Sequence, residues 1–329
     1  MLRTQSEVGV VVIGRNEGQR LICCLQSLSG KGFAVVYVDS GSVDGSINEA
    51  SKLGVKTLVL NIDIPFTAAR ARNAGFQYLI QISPNLKYVQ FVDGDCEVMP
   101  DWINNGADLL YMHQDVAVVS GRCRERYPEK SIFNLMCDFE WDTPIGESKA
   151  SGGNAMMRAK AFQDIGGFRN KLIAGEEPEL CVRFRKAGWK IWRLDTEMVL
   201  HDAAMTKFSQ WWKRNVRCGY AFAEGAYLHG APPERHWVNE SKRSILWGLV
   251  IPVIIILVGV FCWQFGLIFA LIYPLQICRL ALRNKRELKP QSLLLASFSV
   301  LGKFAEMLGH FKFYYQRAFS SNVKLIEYK

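Results

Sequence analysis

Short apolar runs alternate with amphipathic segments along the first hundred residues of this chain. The runs predict buried strands, and the segments with apolar residues on one side predict helices. The predicted strands are Val8–Ile13, Ala34–Val38, Thr57–Leu60 and Tyr88–Val92, and the predicted helices are Arg20–Leu28, Ile47–Leu53 and Thr67–Ile82. Strands that alternate with helices form a parallel sheet covered on both faces. The pattern therefore predicts an α/β fold.

The periodic pattern becomes weaker after about residue 100. Further strands and helices are still recognisable, and Pro232-Pro233 ends the last of them. The predicted strands are Val116–Ser120 and Lys190–Leu194, and the predicted helices are Lys160–Ile165, Glu179–Ala187 and Trp211–Tyr227. We expect residues 1–240 to form one catalytic domain.

An uncharged apolar segment extends from Ser244 to Cys278. It is too long for one membrane crossing and suits two short ones, because about 20 residues span a bilayer. The residues Trp263–Gly266 offer a turn near its middle. Basic residues flank both ends: Lys242, Arg243, Arg279, Arg283, Lys285 and Arg286. The positive-inside rule then predicts a transmembrane or re-entrant helical hairpin at 241–286, with both ends in the cytoplasm.

The last segment, 287–329, is apolar but carries polar side chains. Lys303, Glu306, His310 and Lys312 interrupt the run between Leu293 and Tyr315. The pattern predicts an amphipathic helix at the membrane interface followed by a tail, with a third span as the lesser alternative.

The net charge of +9 is concentrated at the C-terminal end. Residues 241–329 contain 12 Lys and Arg against 3 Asp and Glu, whereas residues 1–240 contain 28 of each class. Because the excess flanks the apolar segment, it favours anionic lipid headgroups and argues against nucleic acid. The nine cysteines include no CxxC pair, which indicates reduced thiols. We expect the catalytic domain to face the cytoplasm, anchored to the cytoplasmic membrane.

Polar loops follow three of the predicted strands, at Gly14–Gly18, Asp39–Gly45 and Asp93–Glu97. In parallel sheets, ligands bind beyond the carboxyl ends of the strands. These loops therefore predict one shared ligand site.

Two of these loops contain carboxylates with possible chemistry. Asp93 and Asp95 flank Gly94 and could face Mn²⁺ or Mg²⁺, which would also take diphosphate oxygens. Asp-Gly-Asp is also ordinary turn chemistry. Asp39 lies at the sheet edge, where a carboxylate could accept a hydrogen bond from a base. Asp44 and the residues after it could simply cap the next helix.

The order of these motifs resembles the family 2 glycosyltransferases, which are inverting enzymes of the GT-A fold. The resemblance covers residues 8–220 and rests on Val10–Glu17, Val38–Ser46, Ala69–Gly75, Phe91–Asp95, Gly152–Ala155, Gly166–Phe168 and Gly175–Leu180. It implies a Rossmann-like mixed sheet and a metal-dependent, hexosyl-type transferase that uses a nucleotide-sugar, with a UDP-sugar favoured.

The resemblance also implies roles for individual residues. Glu17 and Asp39 would hold ribose and base, Asp95 would bind the metal, and Asp93 would contact ribose or metal. His201 matches a histidine ligand of some members, although a buried structural histidine is the alternative. The implied nucleotide-sugar contacts are Gly14, Asn16, Glu17, Asp39, Arg72, Asn73, Asp93, Gly94, Gly153, Asn154, Arg214 and Arg217.

The catalytic base implied by the resemblance is Glu177, with Glu176 as the rival. The family usually has Asp after Glu at this position, and the longer side chain leaves the choice open. A carboxylate near the anomeric carbon can take the proton of the attacking hydroxyl. One such displacement inverts the anomeric centre.

The segment Gln210-Trp211-Trp212 matches only partly an element of processive members, since its Arg and Trp are in a different order. We therefore expect transfer of a single sugar. Arg214 and Arg217 could clamp a diphosphate or form a solvated helix face. The residues Phe139–Asp142 could line an acceptor site or belong to the core.

The acceptor is predicted to be lipid-linked or close to the membrane, as in glycan or exopolysaccharide synthesis. A narrower alternative is a polyprenyl-phosphate sugar synthase. A remote one is a non-catalytic scaffold that binds nucleotide-sugars. The sequence leaves the sugar, the pathway and the oligomeric state open.

Overall fold

The computed structural model describes residues 7–283 and 291–319. The chain divides into two compact units, Met1–Ala204 and Met205–Lys329. This division comes earlier than the predicted domain limit at residue 240, so the predicted helix Trp211–Tyr227 belongs to the second unit. The assignment of residues 1–240 to a single catalytic domain stays a prediction.

The first unit is built on a mixed sheet. Its described strands are β1 Val8–Gly14, β2 Ala34–Asp39, β3 Lys56–Val59, β4 Tyr88–Asp93, β5 Cys96–Val98, β6 Val116–Glu125, β7 Gly146–Ser148, β8 Ala155–Arg158 and β9 Lys190–His201. The strand order is β3-β2-β1-β4-β8-β6-β9-β5, and β7 pairs with β9. β8 lies antiparallel between β4 and β6, while β6 and β9 are parallel to each other. The predicted mixed α/β sheet is confirmed.

Helices cover both faces of this sheet. They are α1 Gln19–Leu28, α2 Ser46–Lys52, α3 Ala68–Ile82, α4 Trp102–Met112, α5 Ile132–Trp141, α6 Ala159–Asp164 and α7 Glu176–Lys186. Side chains of β1 alternate between two apolar clusters, with Val10 and Val12 on one face and Val11 and Ile13 on the other. Burial on both faces explains why β1 is a continuous apolar run in the sequence.

The helix α7 begins three residues before the predicted start, as the bounds Glu176–Lys186 show. Gly175 precedes it in the left-handed region, at φ 75°. Pro178 lies in the first turn, where the helix needs no N–H donor, so it does not delay the start. As a consequence, Glu176 and Glu177 stand in the first turn of a helix and not in a loop.

The close approach of α3 to the sheet depends on Gly75. A Cβ at this position would lie 2.4 Å from Cγ1 of Val11 on β1 and 2.8 Å from Cγ2 of Val38 on β2. The missing side chain lets α3 lie directly against two strands, which fixes where the residues one turn earlier are placed.

The carboxyl ends of β1, β2 and β4 meet at one edge of the sheet. Gly14 is opposite Asp39, and Ile13 is opposite Asp93 in the parallel register. β6 and β9 point the same way, and β9 ends at His201. The loops that the sequence indicates as ligand-binding therefore share one edge.

The second unit is helical. Its described helices are α8 Phe208–His229, α9 Val238–Ile245, α10 Ile251–Phe261, α11 Trp263–Ala270, α12 Ile272–Arg283 and α13 Ser292–Phe319. Three stretches are long and apolar enough to cross a membrane: Val238–Phe261, Trp263–Arg283 and Ser292–Phe319. The first two correspond to the predicted hairpin, which turns at Cys262. The hairpin helices come close at a glycine pair, since a Cβ at Gly266 would lie 2.6 Å from Cα of Gly259.

The helix α13 packs against α8 through small residues. A Cβ at Gly219 of α8 would lie 1.9 Å from the carbonyl oxygen of Glu306, and one at Gly309 would lie 2.1 Å from that of Val216. Such contacts are typical of helices that pack in membranes. Glu306 and His310, which we expected on a polar outer face, are buried. The interfacial position of this helix stays a prediction.

Parts of the predicted membrane region lie outside the described residues. These are Lys285 and Arg286 of the basic flank and the tail beyond Phe319.

Candidate active site

One buried arginine organises the first half of the site. Arg72, on α3, is 2% exposed. Its Nη2 lies 2.8 Å from Oδ1 of Asp93, and its Nη1 lies 2.9 Å from Oε1 of Glu176 and 2.7 Å from Oε1 of Glu177. A single permanent cation thus holds three carboxylates that come from β4 and α7. The resemblance placed Arg72 near base or diphosphate, and that contact stays a prediction.

The position of Glu177 gives its carboxyl an unusual proton affinity. Burial and the neighbouring Glu176 raise its pKa to about 7, although Arg72 acts in the opposite direction. A carboxyl with this pKa can both accept and release a proton near neutral pH, which a general base requires. Its side chain keeps 13% of its surface exposed, so a ligand can reach it.

Two residues that precede β8 complete this cluster. A Cβ at Gly153 would lie 2.4 Å from Nη2 of Arg72 and 2.8 Å from Oδ2 of Asp93, so its backbone passes directly over the ion pairs. The Asn154 side chain accepts a hydrogen bond from the Asp93 backbone N–H at 3.0 Å and donates to Sγ of Cys96 at 3.3 Å. The structure thus brings Gly153 and Asn154 to the predicted site.

Asn73 has a different neighbourhood from the one expected. Its amide nitrogen donates to the Phe168 carbonyl and to Oδ1 of Asn170, both at 2.7 Å, and its Oδ1 accepts from the Phe168 N–H at 3.0 Å. These bonds tie α3 to the loop that leads into α7. Its contact with the nucleotide stays a prediction.

The second half of the site lies around Asp95. Oδ2 of Asp95 is 3.2 Å from Nε2 of His201, and Oδ1 of Asp95 is 3.6 Å from Sγ of Cys96. The antiparallel register pairs Cys96 with His201, which brings both side chains to the sheet edge. Ligand atoms of the three residues all lie within 4.8 Å of one another. An oxygen, a nitrogen and a sulfur donor at this spacing fit a divalent cation.

The aromatic ring of Trp141 covers this group. It stacks on the imidazole of His201 with centroids 4.4 Å apart and planes 7° from parallel. On the other side, Sγ of Cys123 lies 4.0 Å from Nδ1 of His201. The sequence indicated Trp141 as acceptor-lining or core, and gave no signal for Cys96 or Cys123. Only the pairing of distant strands reveals that they surround His201.

The loop after β2 is shaped by Asp39. This buried carboxylate accepts hydrogen bonds from the backbone N–H groups of Gly41 and Ser42 and from the Tyr37 hydroxyl, each at 2.8 Å. Asn16, at φ 57°, accepts a bond from the Val43 N–H at 2.8 Å and so joins the first loop to the second. Asp39 therefore serves the turn itself, and its contact with a base stays a prediction.

Glu17 crosses the ends of β1 and β4. Its Oε2 lies 2.7 Å from Nη2 of Arg20. A Cβ at Gly14 would lie 3.2 Å from Cγ of Glu17, and one at Gly94 would lie 3.4 Å from it. Both glycines make room for this side chain, which supports its predicted location at the ligand edge.

The remaining two predicted residues belong to the second unit. Arg214 and Arg217 lie on α8, and their contact with a diphosphate or an acceptor stays a prediction.

Comparisons with known proteins identify similar glycosyltransferases. The model of glycosyl transferase family 2 matches residues 9–166, and the model described as the N-terminal domain of galactosyltransferase matches residues 135–207. The two matches together cover residues 9–207, which include the residues of both halves of the site.

Two curated relatives extend the similarity further along the chain. Succinoglycan biosynthesis protein ExoA of Rhizobium meliloti is 27% identical over 265 residues, which cover 74% of this chain and 79% of the relative. Glycosyltransferase AglE of Haloferax volcanii is 25% identical over 232 residues, which cover 67% and 74%.

Solved structures show the same fold. The mannosyltransferase PcManGT from Pyrobaculum calidifontis, solved in complex with GDP-Man and Mn²⁺, superposes with a TM-score of 0.60 at 14% identity and covers 94% of this chain and 88% of its own. S. aureus TarS 1-349 superposes with a TM-score of 0.51 at 15% identity and covers 97% and 93%.

The mixed sheet, the carboxylate cluster at its edge and these likenesses define a glycosyltransferase of GT-A fold that uses a nucleotide-sugar. The match to the family 2 model and the motifs in the sequence together support a family 2 glycosyltransferase.

Proposed function

We propose that this chain transfers one sugar, with inversion, from a nucleotide-sugar to a lipid-linked or membrane-proximal acceptor in glycan or exopolysaccharide synthesis. The observation that carries the proposal is the position of Glu177, bound to Arg72 with a pKa of about 7 at the ligand edge. The helices that are apolar enough to cross a membrane support an acceptor at the lipid surface. The relative ExoA, named for succinoglycan biosynthesis, supports the glycan context.

In this proposal Glu177 acts as the base. Its carboxylate takes the proton from the acceptor hydroxyl, whose oxygen forms a bond to the anomeric carbon while the bond to the diphosphate breaks. Arg72 keeps the carboxylate in place, and the buried Glu176 stays in its ion pair with Arg72. Because attack and departure occur on opposite faces, the anomeric centre inverts in one step.

Asp95 and His201 would hold the divalent cation, with Asp93 as a shared ligand. When bound, the cation supplies positive charge that stabilises the departing nucleoside diphosphate. An imidazole ligand beside a carboxylate is tolerated better by Mn²⁺ than by Mg²⁺, which keeps to oxygen ligands. Mn²⁺ in the structure of PcManGT supports this choice.

The donor would lie along the edge formed by Gly14, Asn16, Glu17, Asp39 and Gly94. We keep a UDP-sugar as the favoured donor, with the catalytic domain facing the cytoplasm. A polyprenyl-phosphate sugar synthase is the second candidate, because Lys242 and Arg243 in α9 directly precede the apolar hairpin and suit a lipid phosphate.

The test is a donor panel with product analysis. The full chain in membranes is given labelled nucleotide-sugars with Mn²⁺ or Mg²⁺, with and without chelator. We expect one donor to be consumed, the label to reach the lipid fraction, and chelator to stop both. Glu177→Gln should abolish transfer, whereas Glu49→Gln, which changes an exposed carboxylate on α2, should not.

Two results would change the conclusion. If no donor is bound or consumed with either cation, the proposed activity is wrong. If the label is found on an acid-labile polyprenyl phosphate, the second candidate replaces the first.

A further inference from the structure

Asp95, Cys96 and His201 are called the cation group below. Two buried arginines lie on the strand that ends at His201 and on its parallel neighbour, and they play no part in the mechanism above. Arg122 is on β6 and Arg193 is on β9, and they are 6% and 3% exposed. The strands are parallel neighbours, with Ser120 opposite Arg193 and Arg122 opposite Glu197. Two guanidinium groups are therefore buried in adjacent strands of the same sheet.

The negative charge that faces this pair is poorly matched. Nη2 of Arg122 lies 2.9 Å from Oδ1 of Asp138, but that oxygen also accepts the Glu125 backbone N–H at 2.9 Å. The carboxylate contact of Arg193 is Asp142, whose Oδ1 is 3.5 Å from Nη2 of Arg193 and 3.4 Å from Nε of Arg122. These distances exceed those of close charge-assisted hydrogen bonds.

Arg193 is the less satisfied of the two. Its Nη1 donates to the Leu194 carbonyl at 2.6 Å, while its Nε is buried and makes no hydrogen bond within the described residues. A buried guanidinium normally requires a full set of partners, because burial removes its water. The pair thus has unused capacity for an anion.

Asp142 itself is replaceable. It is 58% exposed and follows directly after the last residue of α5. A ligand can displace its carboxylate from the arginines by turning one side chain, without opening the core. Exposed ion pairs of this kind contribute little to stability.

The location connects this pair to the reaction. The residue before Asp142 is Trp141, which stacks on His201 of the cation group. The arginines therefore lie on the α5 side of the cation group, whereas Arg72 and Glu177 come from α3 and α7.

We propose that Arg122 and Arg193 form a binding site for an oxyanion of the acceptor, and that Asp142 occupies this site until the acceptor arrives. The oxyanion is a phosphate of a lipid-linked acceptor or the carboxylate of an acidic sugar. A guanidinium group can donate two parallel hydrogen bonds to two oxygens of either anion. That the bound oxyanion belongs to the acceptor rests on the proposed function, but the anion site itself does not.

The test measures anion binding without donor and without cation. The full chain in detergent micelles is titrated with inorganic pyrophosphate in excess chelator, and the rise in melting temperature gives the affinity. Chelator prevents binding through a cation at Asp95. We expect Arg193→Gln to weaken binding about tenfold and Asp142→Asn to strengthen it about two- to fivefold, since a competing carboxylate is lost.

The matched control is Lys190→Gln. Lys190 lies three residues from Arg193 on the same strand and pairs with Asp115 in an exposed ion pair, so its loss should leave the affinity unchanged. Equal pyrophosphate affinity in the wild type, Arg193→Gln and Asp142→Asn would overturn the proposal, and so would weaker binding by Asp142→Asn. If Arg193→Gln does not fold, Asp142→Asn decides alone.

A second titration separates the two sources of the oxyanion. A polyprenyl diphosphate in mixed micelles represents the lipid-linked acceptor, and glucuronate represents the acidic sugar. The ligand whose affinity changes in both variants identifies the class. A chain that binds the anion but transfers no sugar would refute the proposed function and leave this site intact.

Discussion

Asp93 and Asp95 are separated by one glycine, yet they lie in two different electrostatic environments. Asp93 pairs with the buried guanidinium of Arg72 at 2.8 Å, whereas Asp95 lies 3.2 Å from His201 and beside the thiol of Cys96. Arg72 is a permanent cation, so it repels a second cation. His201, unlike a guanidinium, can act as a ligand in its neutral form. The difference favours Asp95 as the principal metal ligand.

The Arg72 side has an excess of negative charge instead. One guanidinium faces Asp93, Glu176 and Glu177, and burial strengthens the repulsion among them. Burial and the neighbouring Glu176 raise the pKa of Glu177 to about 7, and a proton on Glu177 relieves the excess of negative charge. From this difference we expect the Arg72 side to exchange a proton and the Asp95 side to bind the divalent cation.

The sharpest way to break this comparison is to remove the proton acceptor. We expect Glu177→Gln to lower kcat by about 10²–10⁴, because general-base catalysis contributes about that much. Glu176→Gln should cost less, since Glu176 is buried and its role is to balance Arg72. Initial rates of sugar transfer measure both. Full activity in Glu177→Gln, or an equal loss in Glu176→Gln, would contradict the assignment.

Removing the guanidinium of Arg72 tests the same side of the site through the stability of the fold. Arg72→Met removes the partner of the buried Glu176 and of the partly buried Asp93 and Glu177, and breaking a buried ion pair costs about 3–5 kcal/mol. Urea unfolding of the full chain in micelles, followed by tryptophan fluorescence, measures the loss. The double variant Arg72→Met with Glu176→Gln should recover part of it, because one uncompensated charge is gone. A single variant as stable as the wild type would show that Arg72 does not hold the cluster.

The parallel strands of the sheet could be predicted from the sequence. Strands buried on both faces are continuous apolar runs, and β1, β2 and β4 were predicted with bounds close to those observed. The short strands β5, β7 and β8 were not predicted, because three or four residues show no period and these strands do not alternate with predicted helices, as the equally short β3 does. β5 nevertheless sets the register that brings Cys96 to His201.

The site was predicted as a set of residues but not as a set of contacts. The carboxylates, Arg72 and His201 follow from motif resemblance, and they do lie at one edge. The ion pair of Arg72 with Glu176 joins residues 104 positions apart, so only tertiary packing produces it. For the same reason, the sequence could not show that Asn73 holds the loop before α7, or that Trp141 covers His201.

Matched substitutions of Asp95 and Asp93, on either side of Gly94, test which carboxylate binds the cation. Asp95→Asn should weaken Mn²⁺ binding at least about tenfold, since loss of even an indirect partner of a metal costs that much. Asp93→Asn should weaken it less, because Arg72 already engages that carboxylate. Electron paramagnetic resonance of free Mn²⁺ measures both affinities without any sugar donor. Equal losses in the two variants would mean that the two carboxylates share the cation evenly.

We also expect a pH dependence in which activity and stability move in opposite directions. The pKa of Glu177 rises from an ordinary 4.5 to about 7 on folding, because burial and Glu176 disfavour its charged form. Between these values the folded state holds a proton that the unfolded state has lost. Stability should therefore fall as pH rises through this window, while transfer should increase about tenfold per pH unit until about pH 7.

Glu177→Gln is the control for these opposite pH dependences of stability and transfer, because the amide cannot titrate. Its melting temperature should lose the decline between about pH 5 and pH 7 that the wild type shows, while other groups keep their own dependence. Melting curves and kcat/KM profiles of both chains over this range make the measurement. A decline that persists unchanged in Glu177→Gln would assign the titration to another carboxyl, and it would remove the electrostatic reason for treating the Arg72 side as the one that exchanges the proton.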